Sequence, residues 1–191
     1  KVKIFKGSKY IEKNYKEDLG KIIAKYNKQG YRDAQIISDS IYPVNDKDIA
    51  IDITIEEGSR YYFRNITWVG NTVYSSAFLS SVLGIMKGDI YNKELLETNL
   101  QFSQSGVDIS ALYMNYGYLF FNATPVETYV DNDSIDLEIR IYEGKQARIK
   151  NVSVKGNEKT NDHVVIRELR TRPGQLFSRE DIIRTTRELA A

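Results

Sequence analysis

The apolar positions change period several times along the chain, and each change predicts an element. Over residues 10–29 they fall three or four apart (Ile11, Tyr15, Leu19, Ile22, Ile23, Tyr26), with Lys, Glu and Asp between them. That spacing predicts an amphipathic helix. Gly30 is placed to cap it, because glycine accepts the left-handed backbone that ends helices. The period then drops to two. A strand is predicted over about 32–42, a turn at Val44-Asn45-Asp46-Lys47, and a second strand with Ile49, Ile51, Ile53 and Ile55 on one face and Ala50, Asp52 and Thr54 on the other. A short connection with Asn and Asp at its centre makes the pair an antiparallel hairpin, closed by Glu56-Glu57-Gly58.

A strand over 62–69 follows, and Gly70-Asn71 turns the chain. Ser75 or Ser76 caps a short helix bearing Phe78, Leu79, Val82 and Leu83. Lys87-Gly88-Asp89 leads into a second helix from about Asn92, with Leu95, Leu96 and Leu100 on its buried side. Gln104-Ser105-Gly106 interrupts this helix, and Asp108 caps its restart. It ends at Tyr116-Gly117-Tyr118, the counterpart of Gln29-Gly30-Tyr31. A hairpin is predicted next: about 119–130, a turn at Asp131-Asn132-Asp133, then Ile135, Leu137, Ile139 and Ile141 in alternation, closed by Glu143-Gly144. From Gln146 the pattern gives a strand through Val154, a Gly156-Asn157 turn, a helix with Val164, Val165, Ile166 and Leu169, a Pro173-Gly174 turn, and a further helix capped by Ser178.

These elements repeat. Ile66-Thr67-Trp68-Val69-Gly70-Asn71 returns as Val152-Ser153-Val154-Lys155-Gly156-Asn157 at an offset of 86 residues, and Phe78, Leu83, Gly88, Ile90, Tyr91 and Glu94 fall on Val164, Leu169, Gly174, Leu176, Phe177 and Glu180 in the same register. A tandem array must be recognised before any fold is assigned. The unit is strand, helix, helix, strand, strand: an α+β βααββ module, a three-stranded mixed sheet covered on one face by two helices. The expected division is the C-terminal part of one unit at 1–58, a complete unit at 59–145 and the N-terminal part of a third at 146–191. By that phase the chain opens within a unit, as a fragment of something longer. Glu57, Gly58, Arg60, Tyr61 and Trp68 are the expected joint between the first two units, with core packing the other reading for Trp68.

Composition narrows the function. An apolar fraction of 41% with 28% charged residues is that of a folded globular protein. A net charge of +1 argues against a partner held by electrostatics, and Lys1, Lys3, Lys6 and Lys9 read as a solvated face. The absence of cysteine, with His163 the only histidine, leaves no disulfide, thiol nucleophile, His triad or His/Cys metal cluster. Asp131, Asp133 and Asp136 have the chemistry of a hairpin turn and lack the rest of a calcium loop. Gly84 and Gly88 are not followed by the Gly-Lys-Ser/Thr of a phosphate loop. Asp89 and Glu94 form no paired catalytic motif. Neither a metal, a cofactor nor catalysis is expected. Fourteen tyrosines could stack on bases, so a nucleic-acid-binding array of small α+β domains is the reading from another class.

Gly-Asn at the end of the first strand, a Lys-Gly-Asp or Pro-Gly-Gln turn between the helices, and Tyr-x-x-x-Gly-Tyr at the end of the second helix occur here in that order. The last motif stands at Tyr26-Asn27-Lys28-Gln29-Gly30-Tyr31 and at Tyr113-Met114-Asn115-Tyr116-Gly117-Tyr118. A unit so marked resembles the POTRA domain, and several in series resemble the periplasmic arm of BamA-type outer-membrane assembly factors. The resemblance covers nearly the whole chain; the extra residues between Ser103 and Asp108 depart from it. Gly30, Gly70, Asn71, Gly88, Gly117, Gly156, Asn157 and Gly174 are its structural turns. It implies a periplasmic, non-enzymatic region that binds unfolded outer-membrane β-barrel precursors and accessory lipoproteins, joined to a membrane barrel in the parent chain, with no nucleic acid partner expected. Secretion-partner and cell-division proteins carry such units too.

Strand addition is the physical route by which a sheet edge recognises strand-forming clients of many sequences. Pro125 lacks the N–H that a central strand must donate, so the strand over 119–130 is expected at an edge, with Phe120, Phe121, Ala123 and Val126 meeting the added strand. The competing reading has Phe120 or Phe121 completing the core. A proline at Ala123 is expected to weaken capture without unfolding the domain.

Overall fold

The computed structural model describes residues 10–101, 103, 106–156 and 162–190. Asn157 and the Lys1, Lys3, Lys6 and Lys9 cluster lie outside them. The chain divides into two compact units: residues 1–62 with 90–93, and residues 63–89 with 94–191.

In the first, helix α1 (Glu12–Lys28) precedes an antiparallel hairpin, β1 (Gln35–Pro43) and β2 (Ile49–Glu56). The tyrosine motif explains how α1 stops. Gly30, at φ 95°, lets Tyr31 N–H reach back to Tyr26 O (3.1 Å) and its own N–H reach Asn27 O (3.1 Å). That pair of bonds is the Schellman ending, and it brings the C″ residue over the last helical turn. Tyr26 and Tyr31 accordingly meet edge to face at 5.9 Å. The Asn45 side chain closes the hairpin turn by accepting from the Lys47 and Asp48 N–H groups. Ile53 and Ile55 are half-buried, whereas Ile49 and Ile51 are exposed.

In the second unit β3 (Tyr62–Val69), β4 (Asn122–Asp131) and β5 (Ser134–Tyr142) form one sheet in the order β3-β5-β4. β4 and β5 are antiparallel across a two-residue turn in which Asn132 takes φ 53°, the positive value such tight hairpins demand. Arg64 meets Asp136, Thr67 meets Leu137 and Gly70 lies against Ile141, so β3 and β5 ascend together and the sheet is mixed. β5 alternates as the sequence predicts: Ile135, Leu137, Ile139 and Ile141 are buried, with Asp136, Glu138 and Arg140 on the other face.

Helices α2 (Ser76–Leu83), α3 (Lys93–Gln101) and α4 (Ile109–Met114) bury Leu79, Leu83, Leu96, Leu100, Ile109 and Tyr113. Ser75 caps α2 by accepting from Phe78 N–H. Leu95, expected on the buried side, is exposed, because Leu96 and Leu100 are the α3 positions that enter the core. The second helix is broken as expected, and Asp108 caps α4 through Ala111 N–H at 2.8 Å. α4 ends like α1: Tyr118 N–H returns to Tyr113 O, Gly117 N–H to Met114 O, and the two tyrosine rings meet edge to face at 5.8 Å.

Beyond residue 145 lie α5 (Asp162–Glu168), which carries His163, and α6 (Arg179–Ala190). The strand expected through Val154 is reduced to one isolated bridge, Arg148 with Leu176. A ladder needs a neighbouring strand, and none lies beside 149–154 among the described residues. α6 is fastened to α4: Arg179 donates to both carboxylate oxygens of the fully buried Asp108 (3.1 and 3.3 Å) and to Gln101 O, while Asn115 accepts from Glu180 N–H.

Two substitutions test these supports. A Cβ at Gly70 would lie 2.2 Å from Ile141 O, and φ is +90° there. Gly70→Ala is expected to destabilise the second unit by more than the ~1–2 kcal/mol of a left-handed residue alone, measured by urea unfolding. Arg179→Ala strands a buried carboxylate, so amide exchange should accelerate in α6 while β5 stays protected; equal protection in both would show that the ion pair is idle.

Candidate functional site

β4 is hydrogen-bonded to β5 on one side only, and its other side borders a groove against α3. This groove holds about 370 Å³ and is lined by Leu100, Ala123 and Pro125 with Glu94, Glu97, Thr98, Gln101 and Thr124. Gln101 Nε2 donates to Ala123 O at 3.1 Å, so that carbonyl points away from β5. A strand residue's N–H and C=O face the same way, and alternate residues face alike. Ala123 and Pro125 therefore turn their backbones outward, whereas Asn122 and Thr124 turn theirs toward β5. The position at which Pro125 lacks a donor is thus on the open side, where no internal ladder bond is lost. The edge is blunted twice, by a proline and by a side chain already using one acceptor.

The four side chains expected along this edge do not share a face. Phe120 precedes β4 and is 65% exposed, while Phe121 is buried and stacks on Tyr113 with ring centroids 4.1 Å apart. Ala123 is fully buried and Val126 half-buried. Phe121 completes the core, as the competing reading had it for Phe120 or Phe121, and Ala123, expected at the edge, is buried too. A proline at Ala123 would disturb the core as well as the edge, so it does not separate capture from folding. The α3 wall was missed, because its closeness to β4 is set by how the helix lies across the sheet. The only sequence signal was Pro125.

Of the expected joint residues, four come together around the end of α1. Arg60 Nε donates to Gln29 O (2.9 Å), Tyr61 N–H to Gly30 O (2.8 Å) and Tyr61 OH to Asp33 (2.7 Å); Glu57 accepts from Tyr26, and Gly58 lies against Asp33. Trp68 belongs to the second unit, where its indole N–H donates to Ser80 of α2 at 2.8 Å. The same frame recurs within the second unit: Gln146 Nε2 to Tyr116 O (2.9 Å) and Ala147 N–H to Gly117 O (2.7 Å). Tyr91 N–H to Tyr61 O is matched by Phe177 N–H to Ala147 O, both 2.9 Å. Gly88 N–H to Phe63 O is matched by Gly174 N–H to Ile149 O. The Tyr26–Glu57 pair is matched by Tyr113–Glu143 at 3.1 Å. Gly30 and Gly117 are required by packing too: a Cβ would meet Ile90 at 2.8 Å and Leu176 at 3.1 Å, respectively.

Glu143 also holds the turn after β3, accepting from Thr72 N–H (2.7 Å), Thr72 OH and Val73 N–H (2.9 Å). Burial pushes its carboxyl up, but these bonds and Tyr113 outweigh burial and hold the pKa below its ordinary value. Asn71 steadies the turn through Tyr74 O and Ser76. The aspartates considered for calcium are committed elsewhere. Arg64 makes a two-pronged contact with Asp136 (2.8 and 2.6 Å), reaches Asp131 (2.9 Å) and packs on the Tyr129 ring. Among the described residues no group of three or more His, Cys, Asp or Glu is placed to hold a metal. No helix among them is long and apolar enough to cross a membrane. The Arg64 hydrogen bonds, helped by those of Asn65, lower the Asp136 pKa from 3.8 to about 2. A depressed carboxylate stabilises the fold above its unfolded pKa and is lost as pH falls through the folded one. Asp136→Asn should therefore flatten the acid-induced fall in urea midpoint between pH 3.8 and about 2; an unchanged slope would mean the Arg64 contact contributes nothing.

A profile described as "POTRA: Surface antigen variable number repeat" matches residues 1–58, 61–144 and 147–191. The outer membrane protein assembly factor BamA of Neisseria meningitidis is 26% identical over 86% of this chain and 20% of its own length. BamA of Nitratidesulfovibrio vulgaris is 27% identical over 90% of this chain and 22% of its own. The chain thus spans about a fifth of these curated relatives. The crystal structure of Haemophilus influenzae BamA POTRA3-5 superposes with a TM-score of 0.72 at 21% identity, covering 97% of this chain and 72% of that one, which shows the shared fold.

Proposed function

The chain belongs to the POTRA family, and from that premise we propose that it is the periplasmic binding and scaffold region of an outer-membrane protein assembly factor. It captures unfolded β-barrel precursors by strand addition at β4. The observation that carries this is a strand bonded on one side only, beside a groove whose floor is apolar. Backbone pairing gives affinity indifferent to client sequence, and the groove gives room for the client's alternate side chains. Its units run 1–58, 59–145 and 146–191, and their hairpin edges and joints also offer places for accessory outer-membrane lipoproteins. The parent chain continues into a membrane barrel that anchors the region at the outer membrane. The role is binding rather than catalysis. Two relatives named as outer membrane protein assembly factors support the reading at the level of the parent protein.

A blunted edge makes the test a gain of function. Restoring an outward donor with Pro125→Val, or freeing the Ala123 carbonyl with Gln101→Ala, should tighten binding of a fluorescent ten-residue peptide of alternating Val and Thr. One hydrogen bond's net worth predicts roughly two- to tenfold per change. Affinity should hold between 50 and 300 mM salt, whereas a phosphate-binding array would lose it steeply. Affinities unmoved by both substitutions, or a steep salt slope, would overturn the assignment.

A further inference from the structure

The two joints share their backbone bonds and differ in one side-chain seat. In the first, the Tyr61 ring lies beside the Arg32 guanidinium, 5.3 Å from its centroid, and its hydroxyl binds Asp33 at 2.7 Å. In the second, the place of Tyr61 is taken by Ala147, fixed by the same bonds to a glycine carbonyl and from an aromatic residue's N–H. Arg32 and Asp33 are the second and third residues after Gly30; after Gly117 those positions are Leu119 and Phe120. Glu56, two before Gly58, becomes Tyr142, two before Gly144. So the ring has gone, the two polar residues that met it have become apolar, and a carboxylate near the end of the hairpin has become an aromatic ring.

Among the described residues the side chains at this place stay open to solvent. Phe120 is 65% exposed, Tyr142 66% and Leu119 37%. Phe120 and Tyr142 flank Gly144, where a Cβ would stand 3.4 Å from Phe120 Cβ and 3.5 Å from Tyr142 Cε1. Scattered exposed apolar side chains are ordinary, but a convergent group at a seat that another copy of the same frame fills with a ring is not.

We propose that Leu119, Phe120, Tyr142 and the Ala147 methyl form a docking site for an aromatic side chain supplied by a partner protein, which takes the seat that Tyr61 occupies from within at the first joint. Aromatic residues supply the ring contacts that Phe120 and Tyr142 offer. Lys145 and Lys150, exposed on the segment carrying Ala147, favour acidic residues beside the incoming ring. The site is separate from strand addition: it recognises a side chain and needs no free backbone.

The test is an amide chemical-shift titration of the 191-residue chain with an acetylated, amidated Glu-Ser-Trp-Ser-Glu peptide, against the same peptide with Ala for Trp. Saturable shifts at Phe120, Gly144 and Ala147 with the Trp peptide alone are expected. Ala147→Tyr, which supplies the ring internally, and Phe120→Asp should each weaken binding about tenfold or more. Phe120 is exposed, so its replacement leaves the core intact and decides the matter if Ala147→Tyr alters the circular dichroism. No saturable shift at these amides, equal shifts with the Ala peptide, or full affinity in Phe120→Asp would overturn the proposal.

Discussion

A glycine carbonyl at the end of a helix sets a frame of backbone bonds that occurs twice in the chain. The left-handed turn at Gly30 and Gly117 ends the helix, places one tyrosine against another, and leaves the glycine's own C=O facing the segment that follows the hairpin. Tyr61 and Ala147 donate to that carbonyl at 2.8 and 2.7 Å. A side chain on either glycine would crowd Ile90 or Leu176 and also strain the left-handed backbone. Crowding and backbone strain both favour glycine here, which ties helix termination and this bond to one residue.

The second support is the glutamate that closes each hairpin. Glu57 meets Tyr26, and Glu143 meets Tyr113 while also holding the turn after β3. Helix end, hairpin end and strand end are thus gathered onto one carboxylate and one phenol. On this frame the sheet keeps β5 in the middle, paired on both sides, and leaves β4 with an outward-facing ladder. Pro125 and Gln101 limit what that ladder offers, which guards the edge against indiscriminate pairing. The backbone bonds recur while the side chains around them vary: Tyr61 with Arg32 and Asp33 in one copy, Ala147 in the other.

Much of this was legible in the sequence. Period-two isoleucines located β2 and β5, Gly and Asn placed the turns, Ser75 and Asp108 capped their helices, and Pro125 marked the edge strand. Each is a local property, fixed by the geometry of a few consecutive residues. The 86-residue recurrence gave the unit order for the same reason, since equal local patterns fold alike. What the pattern could not provide was contact across elements. Leu95 and Leu96 read alike until the helix is laid on the sheet, and the Trp68 indole finds Ser80 of α2 only once the elements are packed.

The sequence by itself determined the α+β module, its repetition and the identity of the glycine turns, because backbone sterics and hydrophobic period act within a few residues of each position. Only the tertiary structure decided that Phe121 and Ala123 serve the core, that α3 walls the open edge, that Asp108 is gripped by Arg179, and that Phe120 and Tyr142 both lie against Gly144. These depend on distances between residues far apart in the chain, and such distances are set by packing rather than by any local preference.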